Sequence, residues 1–460
     1  MSQLPEVAAV ILAAGKGTRM KSRLPKVMHP LAGRPMVQHL LATVAQLKPS
    51  RTIVVVAPGM EDVAAAVAPA EIAFQSEQLG TGHAVLMAKD ALKDFTGTVL
   101  VLYGDTPLLR LETLQALIAA RAAPSNPAAV VLGFRPADPA RYGRLVTAPD
   151  GSLDAIVEAK DATPEQLKIS LVNSGVMALD GVILFDLLAG LRNNNAQGEY
   201  YLTDVPAAAR ARGRVNTVRE GDEAELLGID SRSILARAEA IVQKGLRQAA
   251  LDGGATLVDP DTVWFSHDTK IGKDVLIEPN VFFGPDVTIA DNVVIRAFSH
   301  FQGAHVASGA TLGPFARLRP GAEIGTDAHI GNFVEVKNGR IEAGAKVNHL
   351  TYIGDARVGA GANVGAGTIT ANYDGFRKSH TDIGAGANIG SNAVLVAPVK
   401  IGDGAIVGAG SVIARDVPAD ALAIVRAEQV HKDGWAAAKR AKEKALKADA
   451  AARPKPTKGS

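Results

Sequence analysis

Two short stretches of this 460-residue chain combine residue types that can do chemistry. The first reads Gly15-Lys16-Gly17-Thr18-Arg19-Met20, with Lys26 following Pro25. Small residues let backbone N–H groups approach phosphate oxygens, and Arg19 and Lys26 can neutralise a triphosphate and a departing pyrophosphate. The turn is neither a Walker loop nor a GxGxxG motif, and a plain tight turn uses the same glycines. Its companion is Asp105. The apolar run 99–103 ends in Gly104-Asp105, which puts a hard carboxylate oxygen at the end of a buried strand, where it can hold Mg²⁺ between phosphates.

The second stretch, residues 369–382, interrupts a six-residue repeat and reads Thr370-Ala371-Asn372-Tyr373-Asp374-Gly375-Phe376-Arg377-Lys378. One turn earlier comes Asn348-His349-Leu350-Thr351-Tyr352. Insertions into a regular scaffold are where function tends to sit. A lone His on such a coil serves either as a surface residue or as a base.

The repeat is what must position this second group. An aliphatic or Phe residue recurs every six positions at Ile271, Ile277, Phe283, Ile289, Ile295 and Phe301. After a five-residue step to Val306 it continues at Leu312, Leu318, Ile324, Ile330 and Val336. The count slips again through Ile341, Val347, Ile353, Val358 and Val364, then resumes at Ile383, Ile389, Leu395, Ile401, Val407 and Ile413. A period of six fits neither a helix nor a simple alternating strand. It fits a parallel β-helix, with one flat face per hexapeptide, about 18 residues per turn and an advance of roughly 4.8 Å. The large residue points to the axis, and a small one four positions on (Val275, Val281, Ala328, Val334, Ala387, Ala405) fills the remaining space. Periodicity does not give the handedness.

The first group rests on another pattern. Apolar strands at 7–13, 53–57, 72–74 and 99–103 alternate with helices at 36–47, 61–67 and 82–92. Such alternation indicates a mostly parallel sheet covered on both faces, with ligands at the carboxyl ends of its strands. A further strand is expected at 128–134, and residues 143–158 then turn to hairpins and read as a lid over the sheet edge. Strands at 176–179 and 215–218 flank a helix at 181–191. A long helix at 231–251, capped by Ser231 and stopped by Gly253-Gly254, links this region to the repeats. The expected division is therefore 1–230 for the α/β domain, 231–253 for the linker helix and 254–460 for the coil, with a disordered basic tail from about 436.

Composition narrows the partners. With 47% hydrophobic residues the chain is not generally disordered, and 46 Gly with only 4% aromatic residues suits a repeat region. The absence of Cys excludes disulfides, a thiolate nucleophile and a Cys-ligated metal, and it fits a reducing, cytoplasmic setting. The early apolar run 7–14 is too short to span a bilayer and follows an acidic residue, so neither a signal peptide nor a membrane span is expected. The net charge of +2 is uneven, because the last thirty residues carry nine Lys/Arg against three acids. Residues 436–460, including Arg453-Pro454-Lys455-Pro456, read as a solvated, partly helical, frayed end or as a polyanion-binding arm. No basic stripe interleaved with aromatics occurs elsewhere, so no nucleic-acid partner is expected.

Leu12-Ala13-Ala14-Gly15-Lys16-Gly17-Thr18-Arg19-Met20 followed by Leu24-Pro25-Lys26 resembles the signature of sugar nucleotidyltransferases. The coil resembles the hexapeptide-repeat acyltransferases, which are left-handed and usually trimeric. Joined in this order over nearly the whole chain, the two resemble the bacterial bifunctional N-acetylglucosamine-1-phosphate uridylyltransferase and glucosamine-1-phosphate N-acetyltransferase family. The implied fold is α/β plus β: a Rossmann-like nucleotidyltransferase domain, a long linker helix and a left-handed parallel β-helix. The implied UTP contacts are Leu12, Ala13, Gly15, Lys26, Gln75, Gly80 and Thr81, and those to the sugar phosphate are Tyr103, Gly104, Gly143, Glu158 and Asn173. Asp105 would bind Mg²⁺. Where the family usually has Asn as second metal ligand, this chain reads Gly228-Ile229-Asp230-Ser231, and Asp230 still offers an oxygen.

On the coil the resemblance makes His349 the general base that deprotonates the amine of glucosamine 1-phosphate as it attacks acetyl-CoA, a role suited to an imidazole. Arg319, Lys337, Tyr352 and Lys378 would bind the sugar phosphate, with Asn363 and Asn372 hydrogen-bonding nearby. Asn372 and Tyr373 would border the thioester, Ser391 and Ala409 line the coenzyme A groove, and Arg426 reach its phosphates. A homotrimer is implied. Two other readings share these domains: a nucleotidyltransferase whose coil only oligomerises or regulates, and a non-enzymatic exchange-factor scaffold. His349, the Asn372-Tyr373 insertion and the length of the coil favour two activities.

Overall fold

The computed structural model describes residues 6–15, 17–139 and 141–452. Lys16 of the Gly-rich turn and Arg453-Pro454-Lys455-Pro456 of the tail lie outside the described residues. The chain forms two compact units, 1–309 and 310–460.

In the first unit the elements run β1 (Val7–Leu12), β2 (Pro30–Leu31), β3 (Arg34–Pro35), α1 (Met36–Gln46), β4 (Arg51–Val56), α2 (Glu61–Ala66), β5 (Glu71–Phe74), α3 (Thr81–Leu86) and β6 (Thr98–Tyr103). There follow α4 (Leu111–Arg121), β7 (Ala129–Phe134), β8 (Arg144–Thr147), β9 (Leu153–Val157), β10 (Val172–Asp180), α5 (Leu184–Ala189), α6 (Val205–Ala211), β11 (Asn216–Glu220) and α7 (Arg232–Asp252). The main sheet has the order β11-β7-β10-β6-β1-β4-β5 and is parallel except for β10, which runs against both neighbours. The β8–β9 hairpin joins it at Arg144 opposite Val172.

Successive residues of β1 and β6 serve opposite faces. Ala9, Ile11, Leu100 and Leu102 pack with Val37, Leu40 and Leu114 on one side, while Ala8, Val10, Val99 and Val101 pack with Val85, Leu187 and Val205 on the other. Both faces are therefore covered, which is why these strands read as unbroken apolar runs. The expected helices at 82–92 and 181–191 are shorter, Thr81–Leu86 and Leu184–Ala189. Helices α4 and α6, which periodicity did not single out, cover β7. Ser231 caps α7 by accepting from Ile234 N, as its position predicted. The buried Gln243 of α7 is bonded on both sides of its amide to Phe265, at the start of the coil.

Most coil strands of this unit pair at an offset of 18, as in Lys270 opposite Thr288 and Leu276 opposite Val294, and the five-residue step to Val306 gives 17 at Ile289 opposite Val306. Ile277, Phe283, Ile289, Ile295, Phe301 and Val306 are buried as the repeat requires, and Ile271 is half-buried. Phe265, Phe283 and Phe301 form an internal stack with ring centroids 5.0 and 5.5 Å apart.

In the second unit the offset changes with the sequence count. It is 18 at Arg317 and Glu335, 17 at Glu335 and Tyr352 where the five-residue steps fall, and 25 at Asn363 and Asn388, where the insertion adds a protruding loop. It returns to 18 at Asn388 and Ile406. Every large inward position named above from Leu312 to Ile413 is buried. The tail from about 436, expected as disordered, is instead the helix α8 (Trp435–Ala452), whose described side chains are exposed. Its run of Ala, Lys and Leu has high helix propensity. Among the described residues no helix is long and apolar enough to cross a membrane.

Two candidate active sites

In the first unit, Leu12, Ala13, Gly15, Lys26, Gln75, Gly80, Thr81, Tyr103 and Asp105 line one cleft at the carboxyl ends of β1, β5 and β6. Ala14, Val27, Gln78, Ala84 and Glu199 complete it and were not singled out from sequence. The glycines are explained by close approach. A Cβ on Gly17, at φ +60°, would stand 2.6 Å from Lys26 Cβ, and one on Gly80, at φ +108°, would stand 2.6 Å from the Tyr200 carbonyl oxygen. Gln75 Nε2 donates to Gly80 O at 3.0 Å and Gln78 Nε2 to Ala14 O at 2.7 Å, so the two phosphate-side loops are tied together. Lys26 Nζ forms an ion pair with Asp105 Oδ2 across the cleft.

The residues expected to hold the sugar phosphate form a connected group. Asn173 N donates to Gly143 O at 2.8 Å, and Asn173 Oδ1 accepts from Gly175 N at 2.9 Å. A Cβ on Gly175 would meet the Tyr103 ring at 2.6 Å. Gly104 N is bonded to Leu12 O. Burial, with Glu158 and Asp105 adding to it, pushes the Tyr103 phenol well above its usual range, so it stays a neutral donor. Glu158 accepts from Thr203 Oγ1 at 3.2 Å, a partner the sequence did not reveal.

Burial also raises the Glu158 carboxyl above the usual carboxylate range, against the hydrogen bond from Thr203. An acid with a raised folded pKa contributes stability below its unfolded value, about 4.3, and loses it as pH rises through the raised value. Glu158→Gln is therefore expected to melt about 1–3 °C above the parent at neutral pH and to match it near pH 4, measured as paired thermal midpoints.

Asp105 and Asp230 are brought together by the backbone, since Ile229 N donates to Asp105 O at 2.9 Å. Asp230 is ion-paired to Arg19 and to Arg141, each at 2.9 Å. Among the described residues there is no cluster of three or more His, Cys, Asp or Glu that could hold a metal ion. Two hard carboxylates with room for phosphate oxygens suit Mg²⁺, which is usually held by one or two carboxylates plus substrate.

In the second unit, Arg319, Lys337 and Lys378 converge. The Lys378 ammonium, by hydrogen bond and charge, pulls Lys337 below the ordinary lysine value, and Arg319 adds to this. The acids nearby are Glu335, 2.8 Å from Arg319, and Asp355, which accepts from Asn338 Nδ2 at 2.6 Å and from Asn372 Nδ2. Cations crowded together in this way are suited to a phosphate dianion.

His349 lies opposite Asn332 in register, and its Nδ1 is 2.9 Å from Asn332 Oδ1. A carbonyl oxygen accepts only from a protonated Nδ1, so the neutral ring keeps its lone pair on Nε2. Asn332 was missed by sequence, although its place 17 residues before His349 follows from the coil offset. Asn332→Ala is expected to lower the turnover of amine acetylation about ten- to a hundredfold with little change in KM, because tautomer and ring orientation are lost while the phosphate cations remain. Steady-state thiol release measures both constants.

Tyr373 heads an exposed hairpin that bridges to Lys378, its hydroxyl donating to Gly375 O at 2.6 Å. Asn363 Nδ2 donates to Asn388 Oδ1 at 3.3 Å. Ser391 and Ala409 occupy matching places after paired strands, and Arg426 Nη1 donates to Ala409 O at 3.2 Å. Among the described residues no hydrogen bond or ion pair joins Asn363, Ser391, Ala409 or Arg426 to the cation cluster.

The fold and the paired sites define a sugar-phosphate nucleotidyltransferase fused to a hexapeptide-repeat acyltransferase. Residues 9–167 match the MobA-like NTP transferase domain, and residues 268–302 and 380–415 match the six-repeat bacterial transferase hexapeptide family. Bifunctional protein GlmU of Paramagnetospirillum magneticum is 63% identical over 96% of this chain and 98% of its own length. Those of Azorhizobium caulinodans and Zymomonas mobilis are 57% and 51% identical over 94% and 93% of this chain, and 97% and 96% of their own lengths. The chain belongs to the GlmU family of bifunctional enzymes, with a left-handed β-helix behind the nucleotidyltransferase domain. It is an acetyltransferase and a uridylyltransferase of UDP-N-acetylglucosamine synthesis.

Proposed function

We propose that uridylyl transfer takes place in the cleft of the first unit and acetyl transfer on the coil around His349, with functional domains at 1–230 and 254–460 separated by the helix at 231–253. One observation carries this reading: each unit has its own group of cations as well as its own candidate chemical group. Lys26 and Arg19 accompany Asp105 and Asp230 in one, and Arg319, Lys337 and Lys378 share the other with His349.

On the coil, His349 Nε2 takes a proton from the 2-amino group of glucosamine 1-phosphate as the nitrogen attacks the thioester carbonyl of acetyl-CoA. A C–N bond forms, the C–S bond breaks, and coenzyme A leaves as the thiol. Arg319, Lys337, Tyr352 and Lys378 hold the sugar phosphate, helped by Asn363 and Asn372. Asn372 and Tyr373 border the thioester, with Ser391, Ala409 and Arg426 along the coenzyme.

In the cleft, a phosphate oxygen of N-acetylglucosamine 1-phosphate attacks the α-phosphorus of UTP and pyrophosphate leaves, with no covalent enzyme intermediate. Tyr103, Gly104, Gly143, Glu158 and Asn173 hold the sugar phosphate. Leu12, Ala13, Gly15, Gln75, Gly80 and Thr81 hold the nucleotide, and Arg19 and Lys26 offset the charge on the leaving group. Asp105 and Asp230 would hold Mg²⁺, which when bound would supply electrostatic stabilisation of the phosphates.

The hexapeptide repeats support a homotrimer in which neighbouring coils complete the site. UTP and acetyl-CoA as cosubstrates support a cytoplasmic location. Two assays on the intact chain test the reading: thiol release from acetyl-CoA with glucosamine 1-phosphate, and pyrophosphate release from UTP with N-acetylglucosamine 1-phosphate. No thiol release would reduce the coil to a scaffold, and a monomer in sedimentation would remove the shared site.

A further inference from the structure

A single carboxylate oxygen in the first unit has two guanidinium partners. Asp230 Oδ2 lies 2.9 Å from Arg19 Nη1 and 2.9 Å from Arg141 Nη1. The Asp230 side chain is only 14% exposed, against 67% for Arg19 and 45% for Arg141. Arg19 belongs to the Gly-rich loop on the nucleotide side, and Arg141 to the loop that leads into Gly143 on the sugar side. One negative charge cannot balance two positive ones, so this atom is the meeting point of a surplus of positive charge.

Backbone on either side of Arg141 is tied to a buried side chain. Arg144, 2% exposed, donates to the carbonyls of Pro139 at 2.8 Å, of Leu167 and of Tyr142. Two of these carbonyls bracket Arg141 in the chain. A buried guanidinium whose donors go to backbone carbonyls fixes that backbone, because releasing it would leave charged donors unsatisfied. The Tyr142 ring packs edge-on against Phe134 with centroids 5.0 Å apart, and the Arg141 guanidinium lies 5.2 Å from the Tyr142 ring centre.

We propose that Arg141 is a positioning residue that gates Asp230, competing with the divalent cation for Oδ2 so that metal binds weakly to the free enzyme and more tightly once nucleotide phosphates accept the displaced guanidinium. This rests on the reading of Asp230 as a metal ligand. Competition for one oxygen makes Arg141 and the metal mutually exclusive there, and an anion that draws Arg141 away must by linkage favour the metal.

The test uses the full-length protein and Mn²⁺ as probe, with free Mn²⁺ followed by electron paramagnetic resonance in the absence of nucleotide. Arg141→Gln is expected to tighten Mn²⁺ binding about two- to fivefold, the range for removing one partly exposed charge partner. Arg141→Lys, which keeps the charge, should stay within about twofold of the parent. Calorimetric UTP titrations with and without Mn²⁺ should show the tightening of UTP by Mn²⁺ reduced in Arg141→Gln by the same factor. Unchanged Mn²⁺ affinity in Arg141→Gln, with weaker binding in Asp230→Ala, would overturn the gate and leave Asp230 as a ligand. Unchanged affinity in Asp230→Ala would overturn both. A Lys variant that tightens as much as Gln would refute competition by charge.

Discussion

His349→Ala is expected to lower acetyl transfer to glucosamine 1-phosphate about a thousandfold and to leave uridylyl transfer at the parent level. Positioned general bases contribute roughly 10²–10⁴ in rate, and His349 is the imidazole whose Nε2 is left with its lone pair by the bond to Asn332. The loss should fall on kcat. Arg319, Lys337 and Lys378, proposed to hold the sugar phosphate, share no hydrogen bond or ion pair with the His349 ring among the described residues, so substrate binding should persist. Folding should survive as well, because His349 is exposed and the axis is filled by its neighbour Val347. Thiol release at saturating acetyl-CoA measures the effect, and a rate within a few-fold of the parent would remove His349 from the chemistry. The smaller loss expected for Asn332→Ala separates taking the proton from orienting the group that takes it.

Much of this was legible because the coil turns a one-dimensional count into three-dimensional neighbours. A six-residue period with two inward sizes specifies which side chains fill the axis, and each slip in the count reappears as a changed offset, 17 at Glu335–Tyr352 and 25 at Asn363–Asn388. The α/β strands were legible for a related reason, since burial on both faces leaves unbroken apolar runs such as Val7–Leu12. Partners across the coil were harder to see. Asn332 and Asp355 look like ordinary polar residues until the offset sets one beside His349 and the other beside Asn372 and Lys378. In the cleft, Thr203 and Arg141 meet Glu158 and Asp230 through loops whose course no periodicity encodes. The tail reads in sequence as a solvated, partly helical end, and local propensity alone extends its turns over Trp435–Ala452.

Asp105→Asn should lower uridylyl transfer about a hundred- to a thousandfold, with acetyl transfer unchanged. The substitution keeps the shape at the end of β6 and its backbone bond with Ile229, so the cleft keeps its walls. It removes the charge that opposes Lys26, on the residue whose backbone carbonyl is bonded to the segment bearing Asp230. Two explanations of a loss can be told apart. If Asp105 holds Mg²⁺, the variant binds Mn²⁺ more weakly in direct titration, and a severalfold excess of Mg²⁺ restores part of the rate. If Asp105 serves only to fix Lys26, metal affinity stays at the parent value, excess Mg²⁺ does nothing, and Lys26→Ala reproduces the defect. The first result is expected, because Mg²⁺ is usually held by one or two carboxylates together with substrate phosphates.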